Sequence, residues 1–142
     1  ASTLTGQPHV MVQWTNNNAG YVRDATTPHT AGKKYCDLFP TEYGTTQPAG
    51  FKSEGHTSGE LLGSLAWEMK DQCFGGDANW LMRRMIWAMR DTSGPVTMHK
   101  FCLSMLLDEV LYGHITDPSR ARLIKMRDLM EAKGLYNKAC PP

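Results

Sequence analysis

The feature that most constrains this fold is a run of four helix signatures in the second half of the chain, each with its own start and stop signals. With their capping residues, the predicted segments cover 57–76, 77–91, 96–113 and 117–134. Asp77 is a typical N-cap, the Asp117-Pro118 pair is a typical helix start, and glycines follow the helix ends. Because the connections are short, we expect consecutive helices to be antiparallel and to form a compact four-helix body.

Residues 1–55 have a different composition, rich in Gly, Pro, Thr and Asn and poor in long aliphatic side chains. The β-branched and aromatic run at 9–15, the turn residues at 16–20 and the return at 21–23 predict a hairpin. Residues 25–53 predict an ordered but irregular wrap, held by Cys36 and by aromatic side chains. The expected fold is therefore mainly α (α+β): one domain over 1–142, with a hairpin and wrap at 1–55 and a helical body at 56–142.

Four cysteines in this chain suggest two disulfides, because they are even in number, widely spaced and contain no C-x-x-C pair. Of the three possible connectivities we favour Cys73–Cys102 between two helices and Cys36–Cys140 between the ends of the chain. The alternative is a cytosolic protein with four reduced cysteines. The disulfides, together with a first residue that is Ala rather than Met, predict a processed, secreted and extracellular protein.

Helical periodicity assigns an apolar face to each predicted helix. The expected core positions of the first, second and fourth helices are Leu61, Leu62, Leu65, Met69; Ala78, Leu81, Met82, Met85, Met89; and Leu123, Met126, Met130. The third helix has two opposite apolar stripes, formed by Val96, Leu103, Leu107, Val110 and by Met98, Phe101, Met105, Tyr112. We therefore expect it to be central and contacted from two directions.

Tryptophans and arginines share the side of the first two helices that the same periodicity turns outward. The residues concerned are Trp67, Trp80, Arg83, Arg84, Trp87 and Arg90. Guanidinium groups can stack on indoles at these spacings, and Trp and Arg are enriched in interface hot spots. The side is predicted either to be covered by the N-terminal wrap or to be an exposed binding surface.

The sequence contains none of four common catalytic, metal-binding or nucleotide-binding motifs: G-x-S-x-G, H-E-x-x-H, the Walker loop and G-x-G-x-x-G. The sequence therefore predicts no catalytic residues, no metal site and no cofactor. A net charge of +1 disfavours a nucleic-acid partner, and no apolar run is long enough for a transmembrane segment. The basic residues Arg120, Arg122, Lys125 and Arg127 fall on two sides of the fourth helix and predict a solvated surface.

Our leading hypothesis is a secreted, disulfide-stabilised protein that binds a protein or other macromolecular target, as small toxins and effectors do. The first alternative is an extracellular carrier of an apolar small molecule in a methionine-lined cavity between the last three helices. The second is a hydrolase with an unfamiliar site built from Asp108, His114 and Asp117.

Overall fold

A computed structural model of the protein describes residues 10–11, 23–24, 32, 34–38, 55–92 and 98–136. Its elements are β1 (Val10–Met11), β2 (Arg23–Asp24), α1 (Tyr35–Leu38), α2 (Gly55–Cys73), α3 (Ala78–Asp91), α4 (Met98–Tyr112), a 3₁₀ turn (Gly113–Ile115) and α5 (Ala121–Ala132). The mainly helical body predicted from the sequence is confirmed, with α2 to α5 as its four helices.

The two short strands pair antiparallel, with Val10 opposite Asp24 and Met11 opposite Arg23. The predicted turn at 16–20 lies outside the described residues, as does most of the predicted wrap at 25–53. Both therefore remain predictions.

Glycines end α2 where the sequence predicts a stop. Gly75 and Gly76 adopt φ of 59° and 80°, a left-handed conformation that glycine reaches without a Cβ penalty. The Gly76 amide then donates to the Lys70 carbonyl at 2.8 Å, which satisfies a free carbonyl at the helix end. Asp77 caps the next helix as predicted, because its carboxylate accepts the Trp80 amide at 3.0 Å.

The start of α5 differs from the prediction by several residues. Asp117 does accept the Arg122 amide, at 2.7 Å, but the helix begins only at Ala121. Arg120 adopts φ of 63°, and its guanidinium donates to the Glu109 and Val110 carbonyls at 3.2 and 2.9 Å. Residues 116–120 thus form a turn that caps the end of α4. The Asp117-Pro118 signal predicts a helix start and does not indicate this contact with the preceding helix.

The core forms where α2 packs on α5 and α3 packs on α4. The predicted core residues Leu61, Leu65 and Met69 of α2 are fully buried, as are Met126 and Met130 of α5. Tyr35 of α1 is also fully buried, and its amide donates to the Lys133 carbonyl at 2.9 Å. No sequence pattern indicates Tyr35 as a core residue, although it joins the first part of the chain to the end of α5.

The inward face of α3 agrees only in part with the one that hydrophobic periodicity selects. Leu81 is buried and Met85 packs partly buried against the core, as expected, but the other buried positions are Arg84 and Ala88. Met82 and Met89, both predicted to be in the core, are 48% and 54% exposed. The prediction was wrong because periodicity treats every arginine as an outward residue, whereas Arg84 is drawn inward by a buried carboxylate.

The same error affects α4, which is not contacted on both apolar stripes. Phe101 and Met105 of one stripe are buried. Leu103, Leu107 and Val110 of the other stripe are exposed, and so is Tyr112 at the end of the helix. In their place, Asp108 and Glu109 are buried, although charged side chains usually lie on a helix surface.

Gly113 offers a test of this packing, because a Cβ at this position would overlap the carboxylate of Glu109. We expect Gly113→Ala to lower the free energy of unfolding by about 2–3 kcal/mol, the usual effect of overpacking. Urea denaturation followed by circular dichroism measures the change. Gly63→Ala in α2 is the matched control, since a Cβ there meets open space and alanine favours the helix by about 0.5–1 kcal/mol. Equal effects of the two substitutions would contradict the structure.

Candidate functional site

A buried charge cluster joins α3, α4 and α5 through the carboxylate of Glu109. One carboxylate oxygen accepts Arg84 Nη2 at 2.8 Å, and the other accepts Arg122 Nε at 2.7 Å. All three side chains are at least 90% buried. Arg84 comes from α3 and Arg122 from α5, so one carboxylate on α4 fixes the positions of three helices.

The Arg122 guanidinium is held from several directions. Its Nη2 donates to the Thr116 hydroxyl at 2.6 Å and to the Gly113 carbonyl at 3.2 Å. Its Cζ atom lies 4.9 Å from the centroid of the Trp80 ring, which in turn packs edge-on against Phe74. These contacts replace much of the hydration that a buried guanidinium loses.

This cluster is suited to holding the helices rather than to catalysis. Both oxygens of Glu109 accept hydrogen bonds from buried arginines, so the carboxylate is committed to linking the helices. Burying two arginines and one carboxylate requires complete pairing, and breaking one pair leaves an uncompensated charge.

The three residues of the hydrolase hypothesis do not form a catalytic group. Asp117 is engaged at the start of α5, where hydrogen bonds from the Ser119 hydroxyl and the Arg122 amide lower its pKa. His114 is exposed, and no hydrogen bond or ion pair within the described ranges joins it to either aspartate. The Asp108 oxygen Oδ2 is buried without a hydrogen-bond partner. Burial raises the pKa of this carboxyl group, and the negative charge of Asp91 raises it further.

The structure separates the six residues of the predicted tryptophan and arginine surface. Arg83, Trp87 and Arg90 are exposed on α3. Arg84 is buried against Glu109, and Trp80 is partly buried beside Phe74.

Trp67, the remaining tryptophan of that prediction, lies on α2. It is partly buried, with the Lys70 ammonium 3.8 Å from its ring centroid. Glu60 and Ser64 of the same helix are buried.

Large apolar side chains are exposed on α3 and α4, five of them at predicted core positions. On α3 they are Met82, Ile86 and Met89, and on α4 they are Leu103, Leu107, Val110 and Leu111. We call these seven residues, together with Arg83, Trp87 and Arg90, the α3–α4 outer surface. The sequence indicates such a surface because α4 is apolar on nearly all sides, and the neighbouring helices cannot cover all of these apolar side chains.

Methionines do not mark a carrier cavity in the described residues. Met69, Met105, Met126 and Met130 are fully buried members of the packed core. Met82 and Met89 are exposed on α3. This distribution gives the carrier hypothesis no support.

Cys73 and Cys102 are free thiols, so the disulfide predicted between them is not present. Cys102 is fully buried, and burial raises its pKa to about 12. Burial also raises the pKa of Cys73, to about 11, which keeps both groups protonated and unreactive at neutral pH. The predicted partners Cys36 and Cys140 have side chains outside the described residues, so that bond stays a prediction.

The described part of the chain shows neither a membrane-spanning helix nor a metal-binding group. None of its helices combines the length and the hydrophobicity that crossing a membrane requires. It holds no group of three His, Cys, Asp or Glu side chains placed to ligate a metal ion. The basic residues of α5 were predicted to be solvated. Lys125 and Arg127 are exposed, but for Arg122 the prediction was wrong, because it is buried in the charge cluster.

Comparison with known proteins identifies no relative for this arrangement. The chain matches no protein-family model, and no curated protein or solved structure matches it. Its function must therefore be argued from its own residues.

Removing the negative charge of Glu109 tests the buried cluster. Glu109→Gln leaves two buried arginines without a counter-charge, so we expect the free energy of unfolding to fall by about 3–5 kcal/mol. The control is Asp128→Asn, which removes an exposed carboxylate 3.0 Å from Arg127 and should cost less than about 1 kcal/mol. Both are measured by urea denaturation, and similar losses for the two variants would contradict a buried cluster.

Asp108 gives the stability of the protein a predictable pH dependence. Because its pKa is raised in the folded state, folding favours the protonated form, and stability falls as pH rises from the unfolded pKa through the folded one. We expect Asp108→Asn to raise the thermal midpoint at pH 7. The difference should disappear below about pH 3, where the carboxyl group is protonated in both states. A variant that is less stable at pH 7 would contradict this account.

Proposed function

We propose that this chain acts by binding another protein through the α3–α4 outer surface. The observation that carries the proposal is the row of exposed apolar side chains on two helices that pack against each other. Met82, Ile86 and Met89 follow one another at helical spacing, and so do Leu103, Leu107 and Val110. Single exposed apolar residues are ordinary, whereas a repeated row of them on each of two packed helices is typical of interaction sites.

The size of the surface supports this proposal. The exposed fractions include 58% for Ile86 and 56% for Leu107, the largest of the two rows. Seven large apolar side chains exposed on two packed helices are more than the single exposed apolar residues that an ordinary surface shows. Trp87 and the two exposed arginines add residue types enriched in hot spots, and flexible methionines can adapt to a partner's shape.

Secretion and a toxin or effector role remain part of the proposal, with Cys36 and Cys140 as the sequence features behind them. We predict that the unreduced, denatured protein contains two titratable thiols, those of Cys73 and Cys102. Titration with an aromatic disulfide reagent counts them. Four thiols would remove the remaining disulfide and with it the argument for an oxidising compartment.

The surface itself is tested by the double variant Ile86→Glu, Leu107→Glu. Because both side chains are largely exposed, we expect its unfolding free energy to stay within about 1 kcal/mol of wild type. Selection of helical peptides from a displayed library should give wild-type binders of convergent sequence, and these should bind the double variant at least about tenfold more weakly.

Ile124→Glu on α5 is the matched control, since Ile124 is 48% exposed but lies on another helix. It should keep the selected binders at wild-type affinity. A double variant that unfolds would show that the surface is part of the core. Selected binders that bind the double variant as tightly as wild type would show that the surface is not the binding site. Either result would overturn the proposed function.

A further inference from the structure

We infer that the partner of the α3–α4 outer surface presents an amphipathic helix with acidic residues beside its apolar face. This inference rests on the proposed function and adds the chemistry of the partner to it. Shape is its first support: α3 and α4 each present an exposed row of apolar side chains that repeats every three to four residues. The apolar face of a partner helix repeats at the same spacing, and helix packing of this kind is a common mode of peptide recognition.

Charge is the second support, and it comes from Arg83 and Arg90. Arg83 is exposed, and among the described residues its guanidinium donates to the Asn79 carbonyl of its own helix, at 3.4 Å. Arg90 is also exposed and, within the same part of the chain, pairs with its neighbour Asp91, likewise at 3.4 Å. Both guanidinium groups therefore retain donors for an external carboxylate.

Acidic side chains do not balance these arginines on the outer side of the two helices. All residues of α3 and α4 are described, and their only carboxylates are Asp91, Asp108 and Glu109. Asp108 and Glu109 are buried, and Asp91 is already beside Arg90. The outer surface is therefore apolar with a positive edge, and it complements an apolar helix face with a negative edge.

The spacing of the arginines fits a helix as the partner. Arg83 and Arg90 are seven residues apart, which is two helical turns or about 10 Å along α3. Acidic residues seven apart on a partner helix have the same separation. Such a helix can therefore engage both arginines while its apolar face packs on the exposed apolar side chains.

Two other occupants fit the charges less well. A second copy of this chain would bring two positive edges together, which opposes association. Surface-bound helices on anionic membranes are rich in Lys and Arg, whereas this surface has two exposed arginines on α3. The observations therefore favour an acidic protein helix.

The experiment compares two synthetic helical peptides of about five turns with the same Leu and Ile face. One carries Glu on both edges of that face and the other carries Lys. We expect the Glu peptide to bind the full-length protein at least about tenfold more tightly by fluorescence anisotropy, with the preference weakening at high salt. The double reversal Arg83→Glu, Arg90→Glu should invert the preference, whereas the control Arg127→Glu on α5 should leave it unchanged.

Other outcomes identify what has failed. If both peptides bind equally and Ile86→Glu, Leu107→Glu abolishes both, the proposed function stands and the acidic partner is wrong. A dimer that forms with rising concentration and is lost in that same double variant would make a second copy the occupant and overturn the inference. Binding to vesicles of anionic phospholipid with no preference for the Glu peptide would overturn both the inference and a protein partner.

Discussion

The carboxylate of Glu109 is the point on which this structure depends. It accepts hydrogen bonds from Arg84 and Arg122 at 2.8 and 2.7 Å, so each of three helices contributes one charged side chain to a common buried site. Such a cluster stabilises the fold only while its pairing is complete. Gly113 and the 3₁₀ turn belong to the same arrangement, since only a residue without a Cβ leaves room for that carboxylate.

This interaction also determines which faces of α3 and α4 meet solvent. A helix that turns a charged residue inward must turn another part of its circumference outward. On α3 the buried positions are Leu81, Arg84 and Ala88, and the apolar row that includes Met82 and Met89 is displaced to the outside. On α4 the buried Glu109 has the same consequence for Leu103 and Leu107. Exposing apolar side chains in this way is typical of surfaces that bind another protein.

The sequence predicts the helices well and the faces they bury less well. Local signals suffice for the end of α2 and the start of α3, where Asp77 and the glycine pair at 75–76 work through neighbouring backbone groups and lie where predicted. They do not suffice for the start of α5, where Arg120 caps the end of α4 instead of continuing a helix. The inward face of α3 depends on Glu109, which is 25 residues from Arg84 in the chain, and no local pattern contains that information. For the same reason, only Arg83, Trp87 and Arg90 of the six predicted surface residues belong to the α3–α4 outer surface as the structure defines it.

Methionine oxidation tests the central claim most directly, because the chain has methionines both on the exposed side of α3 and in the core. The structure places Met82 and Met89 outside and Met105, Met126 and Met130 in the core. With dilute hydrogen peroxide and peptide mapping by mass spectrometry, Met82 and Met89 should oxidise at least about tenfold faster than the three core methionines. Oxidation of Met82 and Met89 as slow as that of Met105 would place them in the core, and would contradict both the inward Arg84 and the α3–α4 outer surface.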